Sequence, residues 1–395
     1  MNAVVLFANW DPRPDYVPHP KDVKMKRTYL GSKVWRHTRV KVVEKDVPKI
    51  GPTEVLIKVK RTGICGSDVH MAQMDEQGYI FYPGLTAFPV VLGHETTGVV
   101  VKAGERAINR RTNKPFEPGE PVTAEEMFWC GECYACAAGF PNQCERLEEL
   151  GFTVDGAFAE YVAIDAKYLW SLRELEKFYN EEKLFQLGSL VEPTSVAYNA
   201  VIECGGGIRP GDNVAIFGGG PIGLGAVRIL KSAGASIVIL SEPAPERREI
   251  AKKLGADYTI DPTKENVAEK ILEITDGMGV NLFLEATGVP HRVFGDIERV
   301  IWDGRILGAT VVIVARADVK TPVTGEVFQV KKARIVGAQG HSGYATFPRV
   351  IHGMARGILD VTPMITTTIE LNDVPRYLEI LQTDKKEAKV SVKFK

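Results

Sequence analysis

The stretch NVAIFGGGPIGLGAVRILKSAGA, residues 213–235, runs from apolar residues through a knot of glycines into a helical pattern. That order predicts a strand, a glycine turn and a helix, with Gly234 near the helix end. Gly218, Gly220 and Gly223 form G-x-G-x-x-G. In such a turn the first glycine takes the tight bend, the second lets backbone approach a pyrophosphate, and the third allows helix to pack closely on strand. The phosphates then face a helix N-terminus, where free amides and the dipole favour negative charge. Gly218, Gly220, Ile222 and Gly223 are therefore the first candidates for binding a dinucleotide.

A glycine motif alone is weak, so its surroundings decide. The segment SIVIL, residues 236–240, predicts a second strand, and Glu242 follows its end, 19 residues after Gly223. A carboxylate there accepts hydrogen bonds from ribose hydroxyls and repels a 2′-phosphate, which favours NAD over NADP. Arg247 and Arg248 are the counterweight, since a guanidinium tolerates phosphate. A solvated acid at a helix start is the alternative for Glu242. Further strands are expected at DYTI, VNLFLEATG, GRILGAT and ARIVGAQG, which makes six in all. Six parallel strands with intervening helices complete a doubly wound α/β fold of two mononucleotide halves.

Outside this region the cysteines stand out. WCGECYACAAGFPNQC, residues 129–144, holds Cys130, Cys133, Cys136 and Cys144, four of the six in the chain. Zinc is tetrahedral, and two-residue gaps let tight turns bring successive thiolates to about 2.3 Å from one ion. Four thiolates leave no open position, so such a site is structural and its metal-binding free energy becomes folding free energy. Unliganded thiols or two disulfides are the alternatives. A zinc ribbon that binds nucleic acid would share this loop, but the net charge of −1 supplies no basic field for it.

A second candidate set lies upstream. TGICGSDVHMAQ, residues 62–73, and PVVLGHETTGVV, residues 89–100, place Cys65, His94 and Glu95 in two turns. GSLVEPTSVAYNA, residues 188–200, adds Glu192 at the expected start of a helix beginning at Pro193. Fewer than four firm protein ligands is the arrangement of a catalytic zinc, which keeps a position for water or substrate. Singly, each residue reads as well as a buried thiol or an ordinary loop polar group.

Together, Cys65-Gly66-Ser67-Asp68-x-His70, then Gly93-His94-Glu95, then the four-cysteine lobe, resemble the zinc-containing medium-chain dehydrogenase family from about residue 40 onward. The resemblance implies that Cys65 and His94 hold a catalytic zinc and that Glu95 is a direct or exchangeable ligand. It implies that Glu192 marks the polyol and threonine dehydrogenase branch, and that Ser67 and His70 carry the alcohol proton toward solvent. It places Arg247 at the adenine side. Thr287-Gly288, Leu307-Gly308-Ala309 and Gly337-Ala338 would line the nicotinamide. An alcohol surrenders hydride only once its proton is lost, and a Lewis-acidic zinc makes that loss accessible near neutral pH.

The resemblance further implies a GroES-like, mostly β catalytic domain over residues 1–196 and 343–395, with a Rossmann domain over 197–342 between them. The active site would fall in the cleft. Two zinc ions and NAD+ per chain are expected, with a polyol or cyclitol secondary alcohol as substrate and assembly into a homo-oligomer, a dimer or tetramer. Sorbitol, 2,3-butanediol and threonine remain alternative substrates. A zinc-free quinone reductase relative would lack both cysteine sets, which this chain has.

Three stretches depart from the family pattern: residues 10–38, 105–122 and 170–188, the last with an expected extra helix. They read as surface elaboration or as walls of a substrate mouth. Cys204 belongs to neither set and reads as a packing residue. No stretch approaches the roughly 18 apolar residues of a membrane span. The start MNAVVLFANWDP reads as a strand and not a secretory signal. A cytoplasmic location is expected, where clustered thiols stay reduced.

Overall fold

The computed structural model describes residues 1–395. Its parallel sheet follows from short, nearly continuous apolar runs, which suit strands covered on both faces by helices. The strands Asn213–Phe217, Ile237–Ser241, Tyr258–Ile260, Leu282–Glu285, Thr310–Ile313 and Arg334–Gly337 are six. Numbered along the chain, they lie side by side in the order 3-2-1-4-5-6. The order reverses beside Asn213–Phe217, and ligands of open α/β sheets bind outside the strand ends at such a switch point.

The fifth strand corrects the expectation for GRILGAT. It begins only at Thr310, with the β-branched run Val311, Val312 and Ile313. Leu307, Gly308 and Ala309 therefore precede the strand, at the edge opposite the one carrying Gly218. There the Gly308 amide bonds Lys331, and the Ala309 carbonyl accepts from Arg334. These three residues are withdrawn from the nicotinamide wall. Val314, Ala315 and Arg316 follow the strand at the correct edge.

The remaining sheet is a barrel-like, largely antiparallel assembly in the order Leu169–Ser171, Pro121–Ala124, Glu95–Ala103, Glu54–Gly63, Lys389–Lys393, Ile365–Ile369. Tyr161–Asp165 pairs with Glu54–Gly63 as well. Strand Lys389–Lys393 thus lies inside the sheet, antiparallel to Glu54–Gly63 and parallel to Ile365–Ile369. The first strand, Asn2–Trp10, pairs with Trp35–Glu44 and with Val90–Val91.

Glu192 does not start a helix. One helix, Glu181–Tyr198, runs through Pro193 and absorbs the helix expected within residues 170–188. Asn180 caps it by accepting from the Lys183 amide at 2.9 Å. It is buried from Leu184 to Ala197 on nearly every side, so packing carries the cost of the hydrogen bond that Pro193 cannot make. It shares one apolar core with helices Pro221–Ser232 and Thr346–Ala355.

The segments 105–122 and 170–188 dock on one another. Arg111 donates to Glu174 at 2.6 Å, and His352 of helix Thr346–Ala355 meets the same carboxylate at 2.7 Å. The Arg110 guanidinium lies 4.8 Å from the Trp170 ring centre.

Candidate active site

In the nucleotide half, the three glycines are under different constraints. Gly218 has φ +102°, and a Cβ there would fall 2.7 Å from the Ala286 carbonyl oxygen. A Cβ on Gly223 would fall 1.9 Å from the Gly218 oxygen, so the third glycine is required by the approach of helix to turn. Nothing lies within 4 Å of a Cβ on Gly220, which heads helix Pro221–Ser232 beside Ile222. That open space before free amides fits a pyrophosphate. Glu242 accepts from the Gly219 amide at 2.6 Å and the Ala244 amide at 2.8 Å, which holds its carboxylate against the turn. Arg247 donates to the Glu387 carbonyl at 2.7 Å. Arg248 pairs with Asp261 at 3.2 Å. Thr287 lies at the same sheet edge, its amide donating to Glu285 at 2.8 Å.

The four-thiol lobe tests its metal by distance. Cys130 and Cys136 sulfurs stand 4.0 Å apart, and those of Cys133 and Cys144 stand 3.8 Å apart. Sulfurs each about 2.3 Å from one tetrahedral ion stand about 3.8 Å apart, whereas a disulfide would bring two of them into bonding contact. Amides of Glu132 and Cys133 point at the Cys130 sulfur, and hydrogen bonding from them lowers its pKa to about 6. Zinc therefore fits. The lobe springs from a two-strand ribbon in which Glu149 pairs with Met127 and Glu148 with Phe128.

Cys65, His94 and Glu95 have ligand atoms within 4.8 Å of one another. Buried Asp68 ties their two turns together by accepting from the Cys65 amide at 2.9 Å and the Gly93 amide at 3.3 Å. It also lies 3.7 Å from His94 Nδ1, a buried nitrogen with no hydrogen-bond partner. A thiol, an imidazole and a carboxylate gathered this way fit a zinc with an open position. Glu95 is held on both oxygens by Lys389, at 2.5 and 2.7 Å, and Lys389 also donates to the Ile64 carbonyl. A Cβ on Gly63 would fall 1.9 Å from Glu95 Oε2, so glycine there makes the carboxylate's room.

Glu192 joins a neighbouring group instead. Its carboxylate lies 3.4 Å from His341 Nε2, with Glu126 at 3.7 Å from the same nitrogen. Burial pushes Glu192 up to about 7, against the pull of His341 and His94. Ser67 and His70 share helix Gly66–Ala72 three residues apart, hence on one face. Ser67 Oγ is buried without a partner. His70 lies at the exposed end, and partial burial together with Lys385 holds its imidazole below the usual value.

Asp68, Lys389, Glu126, Glu149, His341 and Arg316 were not anticipated. Asp68 stood within the motif, and its N3 position after a turn was a usable capping signal. The others carry no local signal.

A family model described as Alcohol dehydrogenase GroES-like domain matches residues 51–174, and one described as Zinc-binding dehydrogenase matches residues 221–356. The chain is 66% identical over 393 residues to a scyllo-inosose 3-dehydrogenase of Thermotoga maritima, covering 99% of each. A solved Thermotoga maritima structure described as an alcohol dehydrogenase superposes with a TM-score of 0.97 at 65% identity, over 100% of both chains. A zinc-binding dehydrogenase of Sinorhizobium meliloti bound to NADP superposes with a TM-score of 0.75 at 29% identity, over 93% of this chain and 98% of that one.

Proposed function

The chain belongs to the zinc-binding alcohol dehydrogenase family, and from that premise we propose that it oxidises a secondary alcohol of a ring polyol, foremost the keto-cyclitol scyllo-inosose, with NAD+ and two zinc ions per chain. The observation that carries the substrate is the 66% identity, spread over 99% of both chains, to a scyllo-inosose 3-dehydrogenase. What supports the reaction is the meeting of Cys65, His94 and Glu95 on the barrel side of the cleft.

Zinc held by these residues would supply Lewis acidity toward an alcohol oxygen, and a bound nicotinamide would supply a hydride acceptor. The residues do the rest. Asp68 fixes the turns that present Cys65 and His94. Lys389 holds the charge of Glu95 beside them, so that carboxylate is available as a ligand only by loosening its pair. Ser67 Oγ, lacking any protein partner, is free to take the substrate proton, and His70 passes it to water. Glu192, beside His341 and close enough to feel the charge of His94, is the further candidate ligand.

NAD is favoured over NADP because no arginine stands free for a 2′-phosphate: Arg248 is engaged by Asp261 and Arg247 by a carbonyl. Two zinc ions are favoured because a four-thiol set and a separate thiol, imidazole and carboxylate set each gather their ligand atoms within 4.8 Å, and both are donor types that zinc takes. Assembly as a dimer or tetramer is part of the same reading.

The test combines metal analysis of the purified protein with NAD+ and NADP+ reduction over keto-cyclitols, cyclitols, linear polyols and threonine. Two zinc ions per chain and fastest NADH formation with a keto-cyclitol are expected. One zinc, or none, with no turnover of any polyol would refute the proposal.

A further inference from the structure

Three buried glutamates cluster beside the candidate catalytic metal residues. The nearest basic nitrogen of another side chain stands 3.7 Å from Glu126, 3.9 Å from Glu149 and 3.4 Å from Glu192. Glu149 is the extreme case. It is 2% exposed, its Oε2 has no hydrogen-bond partner, and its nearest cation, Arg316 Nη2, is 3.9 Å away, beyond hydrogen-bond reach. A buried carboxylate without donors is costly to keep, so a protein retains one where a ligand completes it.

The surroundings say what kind of ligand. Arg316 follows the fifth strand at the nicotinamide edge of the sheet and reaches across to the barrel side. Its guanidinium stands 5.7 Å from the Tyr82 ring centre, Tyr82 lies tilted 5.3 Å from Phe152, and Phe152 lies 4.9 Å from His94. A continuous wall therefore connects Arg316 to the candidate metal ligand. Gly84 packs directly against this wall: a Cβ there would fall 2.5 Å from Arg316 Nη1 and 2.6 Å from the Tyr82 hydroxyl. Glu126 is close behind, and its amide donates to His341 Nε2 at 3.1 Å.

We propose that Glu126, Glu149 and Arg316 form the recognition set for the hydroxyls of a ring polyol that are not being oxidised. This assignment rests on the proposed reaction and adds its specificity. The two carboxyl groups exchange hydrogen bonds with ring hydroxyls, which are the partners that Glu149 Oε2 lacks. Arg316, with a side chain 41% exposed, donates to a hydroxyl or keto oxygen from the opposite wall. A simple alcohol leaves the set unsatisfied and is discriminated against by its missing donors.

The experiment uses the full-length zinc-loaded protein with NADH bound, and variants Glu149→Gln and Arg316→Lys, which keep shape. Binding of myo-inositol, followed by nicotinamide fluorescence, tests the assignment independently of turnover. Each variant should weaken that binding about 10-fold or more, the weight of one hydrogen bond to a charged group. During turnover the ratio of kcat/KM for the ring polyol to that for cyclohexanol should fall by a similar factor, mainly through KM. Zinc content and melting temperature identify a variant that has merely misfolded, and Arg316→Gln then replaces it. Wild-type polyol binding in both variants overturns the assignment. So does an equal loss for cyclohexanol and polyol, the signature of a clasp between the two halves of the molecule. Polyol binding without any NADH formation in the unsubstituted protein would instead count against the reaction proposed above.

Discussion

Lys389 has three N–H bonds and three acceptors, both Glu95 oxygens and the Ile64 carbonyl, all out of reach of water. Removing one side of a buried pair leaves an uncompensated charge. Lys389→Met should therefore lower unfolding free energy in urea by about 3–5 kcal/mol, with Glu95→Gln in the same chain restoring part of it. An unfolding midpoint equal to that of the unsubstituted protein would contradict this account of the pair. At the same scale, His70→Ala should slow alcohol oxidation about 10-fold or more and steepen its rise with pH, zinc content being unchanged. An unaltered pH–rate profile would remove His70 from the proton path. Cys65 and His94 were legible only in combination, through the family resemblance that Cys65-Gly66-Ser67-Asp68-x-His70 and Gly93-His94-Glu95 carry together. Lys389 was not, since 294 residues separate it from Glu95 and a lone lysine in a strand has no distinguishing pattern.

The two inserted segments converge on Glu174. Burial would raise its carboxyl, but hydrogen bonds from Arg111 and His352 outweigh that and hold it below the usual 4.5. A folded-state value below the unfolded one means stability that is present above pH 4.5 and is lost as pH falls below it. Glu174→Gln should cost about 0.5–1 kcal/mol at pH 7, seen as a lower melting temperature, and the difference should vanish in acid. A gap that persists at low pH would mean the contact is steric. Among the elements, the glycine turn and the four-thiol lobe could be read from spacing. The expected fifth strand, GRILGAT, covers a glycine-flanked apolar stretch, while the β-branched run that forms the strand begins only at its last residue, Thr310. The helix through Pro193 was cut short because proline favours a first helical turn, and only tertiary burial overrides that preference.

At the scale of the whole molecule, one apolar core joins what sequence divides. Leu187 and Leu190 of helix Glu181–Tyr198, Leu224 and Val227 of the nucleotide half, and Phe347 and Met354 after it belong to a single buried cluster. Calorimetry of the zinc-loaded protein should therefore give one cooperative transition. Two resolved transitions would mean that the halves unfold independently. The cleft is likewise joined by Ser342, whose hydroxyl donates to Glu125 at 2.7 Å and whose amide donates to Asn142 at 2.8 Å, contacts that no local pattern reveals.

The inward place of strand Lys389–Lys393 has a consequence for birth order. The ribosome delivers Glu95 294 residues ahead of its partner, about 15–60 s at ordinary elongation rates. Through that interval the nascent barrel lacks both a central strand and the ammonium that neutralises its core acid.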